Sequence, residues 1–540
     1  MTEGTFTETS IDALVIPGIE SQDSPTVWID SGRPMPRSRP VTWDLALTMM
    51  TEFSVLVAGL ALISLIGRLL GPVELGEYLL LRRVSAWLVA GILLGLANGL
   101  PRYIAYSVER PERERLAYFL VASLSLVAVV SSSGAILFLG RHAFARLLFG
   151  NVELAGLILP LVLYLEGMAA QTAVYGYYRG ILAMGRANAI QFLHFALIPV
   201  VVVAVLYRTQ SIPLIIGVTG VLTVLAALFF AWPIVSKLVA EKLPSLKPFA
   251  AEMLWYGISR VPGDFGAAAL FALGPIVATH YLPMKQVSYL LLGSSMLLVA
   301  GYTAGPLSTV LLSKFSMMLG RNQMADVRKS LQYMMAAVIE LSLFTALELI
   351  VFADALVHLW VGDQYSPAIT LVRLLILAVP PYLFFMALRS GIDAITVKPL
   401  NAMNIMIALA FYLVILAAVL NTMPPALLLN AIALSMIASL ALLGMLTART
   451  FRNLYGLKVP WAHCLPVLAI GCLLGGLCFA GRWMLGFKEG LVECALMMLL
   501  SSGLFVVALL KLRTPWLGFV WNNAFPHRKV NWFISRRPSS

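Results

Sequence analysis

The chain has 540 residues, of which 60% are apolar and only 12% are charged. This composition leaves too little polar surface for soluble globular domains, so the sequence predicts a membrane protein. The net charge of +12 could suggest nucleic acid, but in a membrane chain Lys and Arg first determine orientation. We therefore predict no nucleic-acid partner.

Apolar runs of about 20 residues, the length of a membrane-spanning helix, recur along the whole chain. In chain order they lie near 46–66, 79–101, 116–139, 153–178, 188–207, 212–236, 253–280, 286–311, 330–353, 367–388, 401–421, 425–447, 461–481 and 490–511. The links between them are too short to hold a folded domain. The sequence thus predicts an all-α polytopic membrane protein with 14 transmembrane helices.

The two ends of the chain differ from this apolar body. Residues 1–44 mix acidic, Ser, Thr and Pro residues, which indicates a flexible tail, and residues 512–540 mix aromatic with basic residues. The second tail suits either a surface of anionic lipid or solvent. Of the 38 Lys and Arg residues, 27 lie in the tails and in the loops after even-numbered helices, against 7 in the opposite loops. This asymmetry predicts that both termini are cytoplasmic.

One phrase occurs twice in the sequence. PVELGEYLLL (72–81) and PMKQVSYLLL (283–292) share five of ten residues at an offset of 211, and further matches such as LLFG (147–150) with LWVG (359–362) lie at 210 to 212. The offset spans six predicted helices, so both halves enter from the same side. Residues 45–240 and 250–447 are predicted to form two pseudo-symmetric six-helix lobes in a parallel repeat, with two additional helices in 460–511. The lobes either form a stable bundle only or rock around a site between them.

Motifs of enzymes are missing from the sequence. There is no phosphate-binding GxxxxGK[ST] loop and no HExxH or GxSxG motif. Cys464, Cys472, Cys478 and Cys494 match no metal-binding spacing and are interpreted as packed thiols. We predict that the protein is not an enzyme and has neither a cofactor nor a metal site.

Several ionisable residues lie inside the apolar segments, where each costs about 2.5–3.5 kcal/mol and should face a partner or a watery cavity. They are Glu52, Glu166, Arg260, Asp264, Glu340, Glu348 and Arg373. Arg260 and Asp264 are four residues apart and can pair on one helix face. Alternatively, a desolvated Asp264 binds and releases a proton or sodium ion. Glu52 lies at a nearly equivalent place in the first half, and we predict Glu52, Asp264 and Glu166 as ion-coupling residues.

Arginines are the candidates for substrate binding. Arg82 and Arg83 lie near the start of the second segment, where they either reach lipid phosphate at the surface or line a cavity that holds a pyrophosphate. The guanidinium fork suits the second role. We predict Arg82, Arg83, Arg260 and Arg373 as substrate-binding residues.

Small residues and prolines mark two segments as unusual. Gly91, Gly95 and Gly99 form a stripe that allows either close helix packing or a flexing gate. Pro380 and Pro381 are predicted to bend the tenth segment.

Three phrases point to a known family: LIGRLLGPVELGEYLLL (65–81), LSTVLLSKFSMMLGRNQMADVRKSL (307–331) and WVGDQYSPAITLVRLL (360–375). Through them the chain, across roughly 45–447, resembles the polysaccharide flippases. These are exporters of lipid-linked O-antigen or exopolysaccharide units, in a superfamily that also holds multidrug extrusion transporters and lipid II flippases. Gly67 and Leu75 depart from the family's usual Ala and Phe, and the second phrase lacks its usual Pro.

The resemblance implies a transporter in a bacterial inner membrane that flips an undecaprenyl-pyrophosphate-linked oligosaccharide by alternating access, often coupled to an ion. It implies a lipid-linked glycan as substrate, with membrane lipids and polysaccharide polymerase and export proteins as partners. The alternative on the same fold is a cation-coupled multidrug or metabolite antiporter. A membrane enzyme that polymerises or ligates the glycan and a scaffold for assembly proteins are further alternatives.

Overall fold

The computed structural model describes residues 41–108, 110–321, 323–396, 398–486, 490–512, 514 and 516–518. The chain divides into two units between Leu45 and Ala46, and the architecture below concerns the second. The predicted tails 1–44 and 512–540 lie almost wholly outside the described residues.

Helices make up most of the described chain, and no strand occurs in those ranges. The α-helices are α1 (Val41–Leu69), α2 (Pro72–Ile92), α3 (Leu96–Tyr106), α4 (Glu112–Leu139), α5 (Arg141–Phe149), α6 (Ile158–Gly180), α7 (Met184–Phe192), α8 (Ile198–Leu206), α9 (Ile212–Ala240), α10 (Lys247–Ile258), α11 (Val261–Ala278), α12 (Met284–Gly320), α13 (Met324–Val351), α14 (Ala353–Val361), α15 (Ile369–Ile376), α16 (Val379–Ile395), α17 (Leu400–Thr422), α18 (Pro425–Tyr455), α19 (Trp461–Met484) and α20 (Leu491–Lys511).

Within the described residues, 11 helical segments are long and apolar enough to cross a membrane, or up to 13 if each of two bent helix pairs is one span. The predicted eighth segment lies inside α12, a helix of 37 residues. The all-α polytopic fold class is therefore confirmed.

The two bent pairs have different local causes. Between α2 and α3 the chain turns by 48°, because Leu94 and Gly95 adopt left-handed backbone angles that cannot continue a helix. The sequence predicted one continuous segment here. Between residues 363–376 and α16 the chain turns by 50°, just before Pro380 and Pro381, as predicted from the missing proline N–H.

The repeat seen in the sequence reappears as contacts between corresponding positions. Arg83 of α2 donates a hydrogen bond to Ser295 of α12, and Gly76 of α2 packs against Ser288 of α12. Both pairs are separated by 212 residues, the offset of the repeat. A residue can contact its equivalent in the other half of a repeat only near the two-fold axis that relates the halves. Helices α2 and α12 therefore meet on the pseudo-symmetry axis of the two halves.

Away from the axis the halves exchange a second, reciprocal pair of contacts. The end of α1 at Arg68 contacts the turn at Gly362, and the end of α11 at Thr279 contacts the turn at Gly150. Thr279 follows Arg68 by 211 residues, and Gly362 follows Gly150 by 212. These reciprocal contacts agree with the predicted parallel repeat.

The last two helices attach to α13. The ring of Phe344 stacks on Phe505 with their centroids 3.9 Å apart, and the Trp516 indole N–H donates to the Glu340 carboxylate at 2.7 Å. Glu340, predicted to need a partner inside the apolar segment, thus has one. No disulfide joins the four cysteines, all of which lie in the described ranges, and Cys472 is exposed rather than packed.

Candidate functional site

Arg82 and Arg83 lie near the middle of α2. Ten residues separate Arg82 from Pro72 at the start of the helix, which corresponds to about 15 Å, half the thickness of a hydrocarbon core. Successive helical residues point about 100° apart, so the two guanidinium groups face different neighbours. Arg83 faces the second half of the chain, and Arg82 faces the first.

Arg83 lies on the axis between the halves. Its Nη2 donates to Ser295 Oγ at 2.9 Å, while its Nε is buried and has no hydrogen-bond partner among the described atoms. Tyr302 and Tyr382 are the other second-half residues whose hydroxyls act electrostatically on this guanidinium. The site is therefore polar but contains no acidic partner for Arg83 within the described part of the chain.

Arg82 lines a cleft inside the first half. The cleft is formed by Tyr78, Arg82, Tyr164, His194, Phe195, Pro199, Val203, Ile215, Ile216 and Thr219. Arg82 Nη1 reaches the Tyr78 hydroxyl at 3.5 Å, and its guanidinium carbon lies 5.8 Å from the centroid of the same ring. No ion pair of the described residues includes Arg82. The Arg82 guanidinium thus lacks a counter-ion among the described residues.

His194, which sequence reasoning overlooked, forms part of the same cleft. It lies in a single π-helical turn, Leu193–Leu197, between α7 and α8. Such turns interrupt the regular hydrogen bonding of a helix and are frequent at functional sites. The signal in the sequence was a lone histidine inside the otherwise apolar segment 188–207.

The second half carries a separate group of charged residues near the break between α10 and α11. Arg260 and Asp264 do not form an ion pair. Instead, the Arg260 guanidinium lies over the Tyr256 ring, 4.7 Å from its centroid. Across from them, Asp393 of α16 accepts a hydrogen bond from Asn401 Nδ2 at 2.8 Å.

This group contains both basic and acidic side chains, and most of them are exposed. Arg260 and Arg389 both act electrostatically on Asp264 and on Asp393. Arg260, Asp264 and Asp393 are exposed. Sequence reasoning missed Arg389 and Asp393, because they follow the tenth apolar segment and were assigned to a loop. The structure extends α16 to Ile395 and includes both.

The remaining predicted residues have partners of their own. Glu52 accepts a hydrogen bond from Gln191 Nε2 at 2.9 Å, and Glu166 accepts one from Ser131 Oγ at 3.1 Å. Arg373 donates to the Ile350 carbonyl and reaches Asp354. None of these partners is shared with Arg82 or Arg83.

Two contacts between the halves lie on either side of the arginines along α2. The first, here called the Arg68 contact, joins the last turn of α1 to the end of α14. Arg68 donates to the last carbonyls of that helix, at His358 (3.1 Å), Trp360 (3.4 Å) and Leu359. Such carbonyls have no partner within their own helix, and a cation at a helix C-terminus also favours the helix dipole.

The second, here called the Gly257 contact, joins the bend between α2 and α3 to α10. Gly257 lies so close to the Leu94 carbonyl oxygen that an added Cβ would overlap it, and the same holds for Gly95 against the Gly257 carbonyl. Nearby, Arg102 Nη1 donates to the Tyr256 hydroxyl at 3.0 Å. Arg82 and Arg83 are therefore enclosed between two closed contacts.

We expect Arg68→Ala to weaken the Arg68 contact, because three helix-end carbonyls lose a charged donor. Loss of about 1–2 kcal/mol would shift the balance between closed and open forms by roughly 5–30-fold. Electron-spin distance measurements between labels at Val73 and Asp363, in a background without the native cysteines, should show a longer and broader distribution. Arg146→Ala, an exposed arginine of α5, is the control, and an unchanged distribution in Arg68→Ala would contradict the prediction.

Comparisons with known proteins place this geometry on a known fold. No protein-family model matches the sequence, and no curated protein matches it significantly. The structure is similar to the lipid II flippase MurJ in an inward closed conformation, with a TM-score of 0.65 at 13% identity, over 89% of this chain and 100% of that one. An inward-facing MATE multidrug transporter of the MOP superfamily gives 0.62 at 13% identity, over 77% and 98%.

A mutant form of the Vibrio cholerae MATE transporter VcmN gives a TM-score of 0.54 at 16% identity, over 77% of this chain and 98% of that one. Structural similarity at sequence identities this low shows a shared fold and does not identify the substrate. The chain therefore has the fold shared by the lipid II flippase MurJ and the MATE transporters of the MOP superfamily.

Proposed function

We propose that the protein flips an undecaprenyl-pyrophosphate-linked oligosaccharide across the bacterial inner membrane by alternating access. The observation that carries this proposal is the pair Arg82 and Arg83, two guanidinium groups in the middle of α2 for which the described residues supply no acidic partner. A buried cation is costly unless an anion compensates it. A pyrophosphate supplies that charge, and its oxygens accept charge-assisted hydrogen bonds from guanidinium groups.

The two flanking contacts supply the gates that alternating access needs. In the proposed cycle the Gly257 contact opens to admit the lipid-linked glycan, and the Arg68 contact opens to release it. The charge distribution of the loops supports cytoplasmic termini and a cytoplasmic position of the Gly257 contact. Glu52, Asp264 and Glu166 remain the proposed ion-coupling residues, with membrane lipids and polysaccharide polymerase and export proteins as proposed partners.

A second candidate function is a cation-coupled multidrug or metabolite antiporter. The exposed carboxylates of Asp264 and Asp393 favour it, because a cationic drug would bind carboxylates and be repelled by Arg82 and Arg83. The two candidates therefore differ in the charge of the substrate and in the half of the chain that binds it.

The test uses a strain that lacks the protein and a membrane-impermeant glycan probe on sealed spheroplasts. We expect full-length lipid-linked repeat units to accumulate on the cytoplasmic side and the wild-type gene to restore outward exposure. The double variant Arg82→Ala, Arg83→Ala should lower the initial rate of exposure by at least about tenfold, since hydrogen bonds to charged groups contribute about 1.5–3 kcal/mol each.

Arg146→Ala is the matched control, and equal amounts of each variant in the membrane must be verified. Normal exposure of the glycan in the deletion strain would overturn the flippase proposal. Normal rates in the double variant would overturn the role of the two arginines and direct attention to Asp264 and Asp393.

A further inference from the structure

His194 is a buried histidine with one ring nitrogen unused. His194 is 2% exposed. Its ring stacks on that of Tyr164, with the two ring centroids 6.0 Å apart. Nδ1 lies 3.1 Å from Thr223 Oγ1, whereas Nε2 is buried without any hydrogen-bond partner among the described atoms. Buried polar atoms are rarely left unpaired in this way.

The hydrogen bonds around Thr223 determine which ring nitrogen carries the proton. The Thr223 hydroxyl donates to the Thr219 carbonyl at 2.8 Å, so toward His194 it can only accept. His194 must then donate from Nδ1, and in the neutral ring Nε2 is left as a bare acceptor. The unused lone pair belongs to the side chain that lines the cleft of Arg82.

Arg82 is the charged group that acts on His194. The titratable and polar groups that surround the histidine are Tyr78 and Arg82 from α2, Tyr164 and Gln171 from α6, and Thr219 and Thr223 from α9. None of them is acidic. Glu52 and Glu166 are bonded to Gln191 and Ser131 instead. The cleft thus offers donors and a bare acceptor beside a cation that has no counter-ion among the described residues.

The size of the cleft limits what can enter it. Its empty space totals about 310 Å³, but the space is narrow and admits about one water-sized group in this conformation. A single anionic oxygen of a phosphate group meets that limit, whereas a sugar does not. A protonated His194 would place a second positive charge beside Arg82. This arrangement is unfavourable unless an anion lies between the two side chains.

We propose that Arg82 and His194 together bind an oxygen of a phosphate-type anion, and that His194 Nε2 takes up a proton when the anion binds. The anion neutralises Arg82 and accepts a hydrogen bond from the new imidazolium. The anion and the proton therefore each bind more tightly when the other is bound. The inference rests on the proposed function in one respect, namely that the anion is the head group of the transported lipid.

The test measures proton uptake by the purified full-length protein. Farnesyl pyrophosphate and inorganic pyrophosphate are titrated calorimetrically at one pH in two buffers with different ionisation enthalpies, which yields the number of protons bound with each anion. We expect wild type to take up about one proton more per bound anion than His194→Gln. His280→Gln is the matched control, since His280 bonds the Ile276 carbonyl of the preceding helix and should behave as wild type.

A measurement on the wild type protects the test against a variant that fails to fold. Of the six histidines, one should change from a neutral to a protonated ring in ¹⁵N spectra when pyrophosphate is added. Binding of farnesyl pyrophosphate alone would identify a lipid head group as the source of the anion, and equal binding of both probes would identify a free phosphate compound.

Equal proton uptake in wild type and His194→Gln, or no change in any histidine signal, would overturn the inference. Failure of wild type to bind either probe would overturn it as well. The glycan-exposure assay is a separate readout: normal exposure in the deletion strain removes the flippase but leaves a proton-linked anion site, whereas trapped glycan with no proton uptake removes only this inference.

Discussion

Replacing Gly257 with alanine is expected to abolish most transport by preventing closure of the Gly257 contact. The added Cβ would overlap the Leu94 carbonyl oxygen, and both partners are backbone atoms of helix ends that cannot move aside as a side chain can. Overpacking of this kind costs about 1–3 kcal/mol. Because the cost applies only in the closed form, it should shift the conformational balance toward the open form by roughly 5–150-fold.

The glycan-exposure assay gives the transport rate, and spin-label distances across the contact give the population of the open form. Gly99→Ala is the matched control, since a Cβ there would be 3.7 Å from its nearest neighbours, an ordinary van der Waals contact. If Gly257→Ala transports at the wild-type rate with an unchanged distance distribution, closure of this contact is not part of the cycle.

Removing the acidic partner of Arg482 is expected to cause the largest loss of stability. Arg482 of α19 is 1% exposed and forms two hydrogen bonds to the Asp354 carboxylate, at 2.9 and 3.0 Å. Asp354→Asn would remove the negative charge beside this buried guanidinium, and breaking a buried ion pair costs about 3–5 kcal/mol. The thermal denaturation midpoint of the detergent-solubilised protein should therefore fall markedly.

Glu114→Gln is the control, because its ion pair with Arg110 lies at the surface and such pairs contribute about 0–1 kcal/mol. Burial acts to raise the pKa of Asp354, but the bonds from Arg482 outweigh it and the net pKa is lowered. The stabilisation is therefore present above the ordinary pKa of an aspartate, near 3.9, and is lost as the pH falls through the lowered value. Equal denaturation midpoints for Asp354→Asn and Glu114→Gln would contradict this account.

The sequence did not predict which residues the charged side chains contact. Spacing along one helix suggested that Arg260 bonds Asp264, yet Arg260 lies over Tyr256. Arg373 was grouped with Arg82 and Arg83 because all three are arginines in apolar segments, yet its partners are Ile350 and Asp354. The partners of these side chains lie on neighbouring helices, which the spacing along one helix does not reveal. In a chain this apolar, the hydrophobic pattern also hardly distinguishes the protein-facing from the lipid-facing side of a helix.

The sequence by itself determined the fold class and the repeat. A hydrocarbon core accepts only segments whose backbone hydrogen bonds are internal, so runs of about 20 apolar residues must be helices, and a duplicated segment keeps its offset. Only the tertiary structure decided that α2 breaks at Leu94, that His194 lies beside Arg82, and that Arg83 meets Ser295. These features depend on how positions up to 212 residues apart pack against one another, which composition and periodicity do not record.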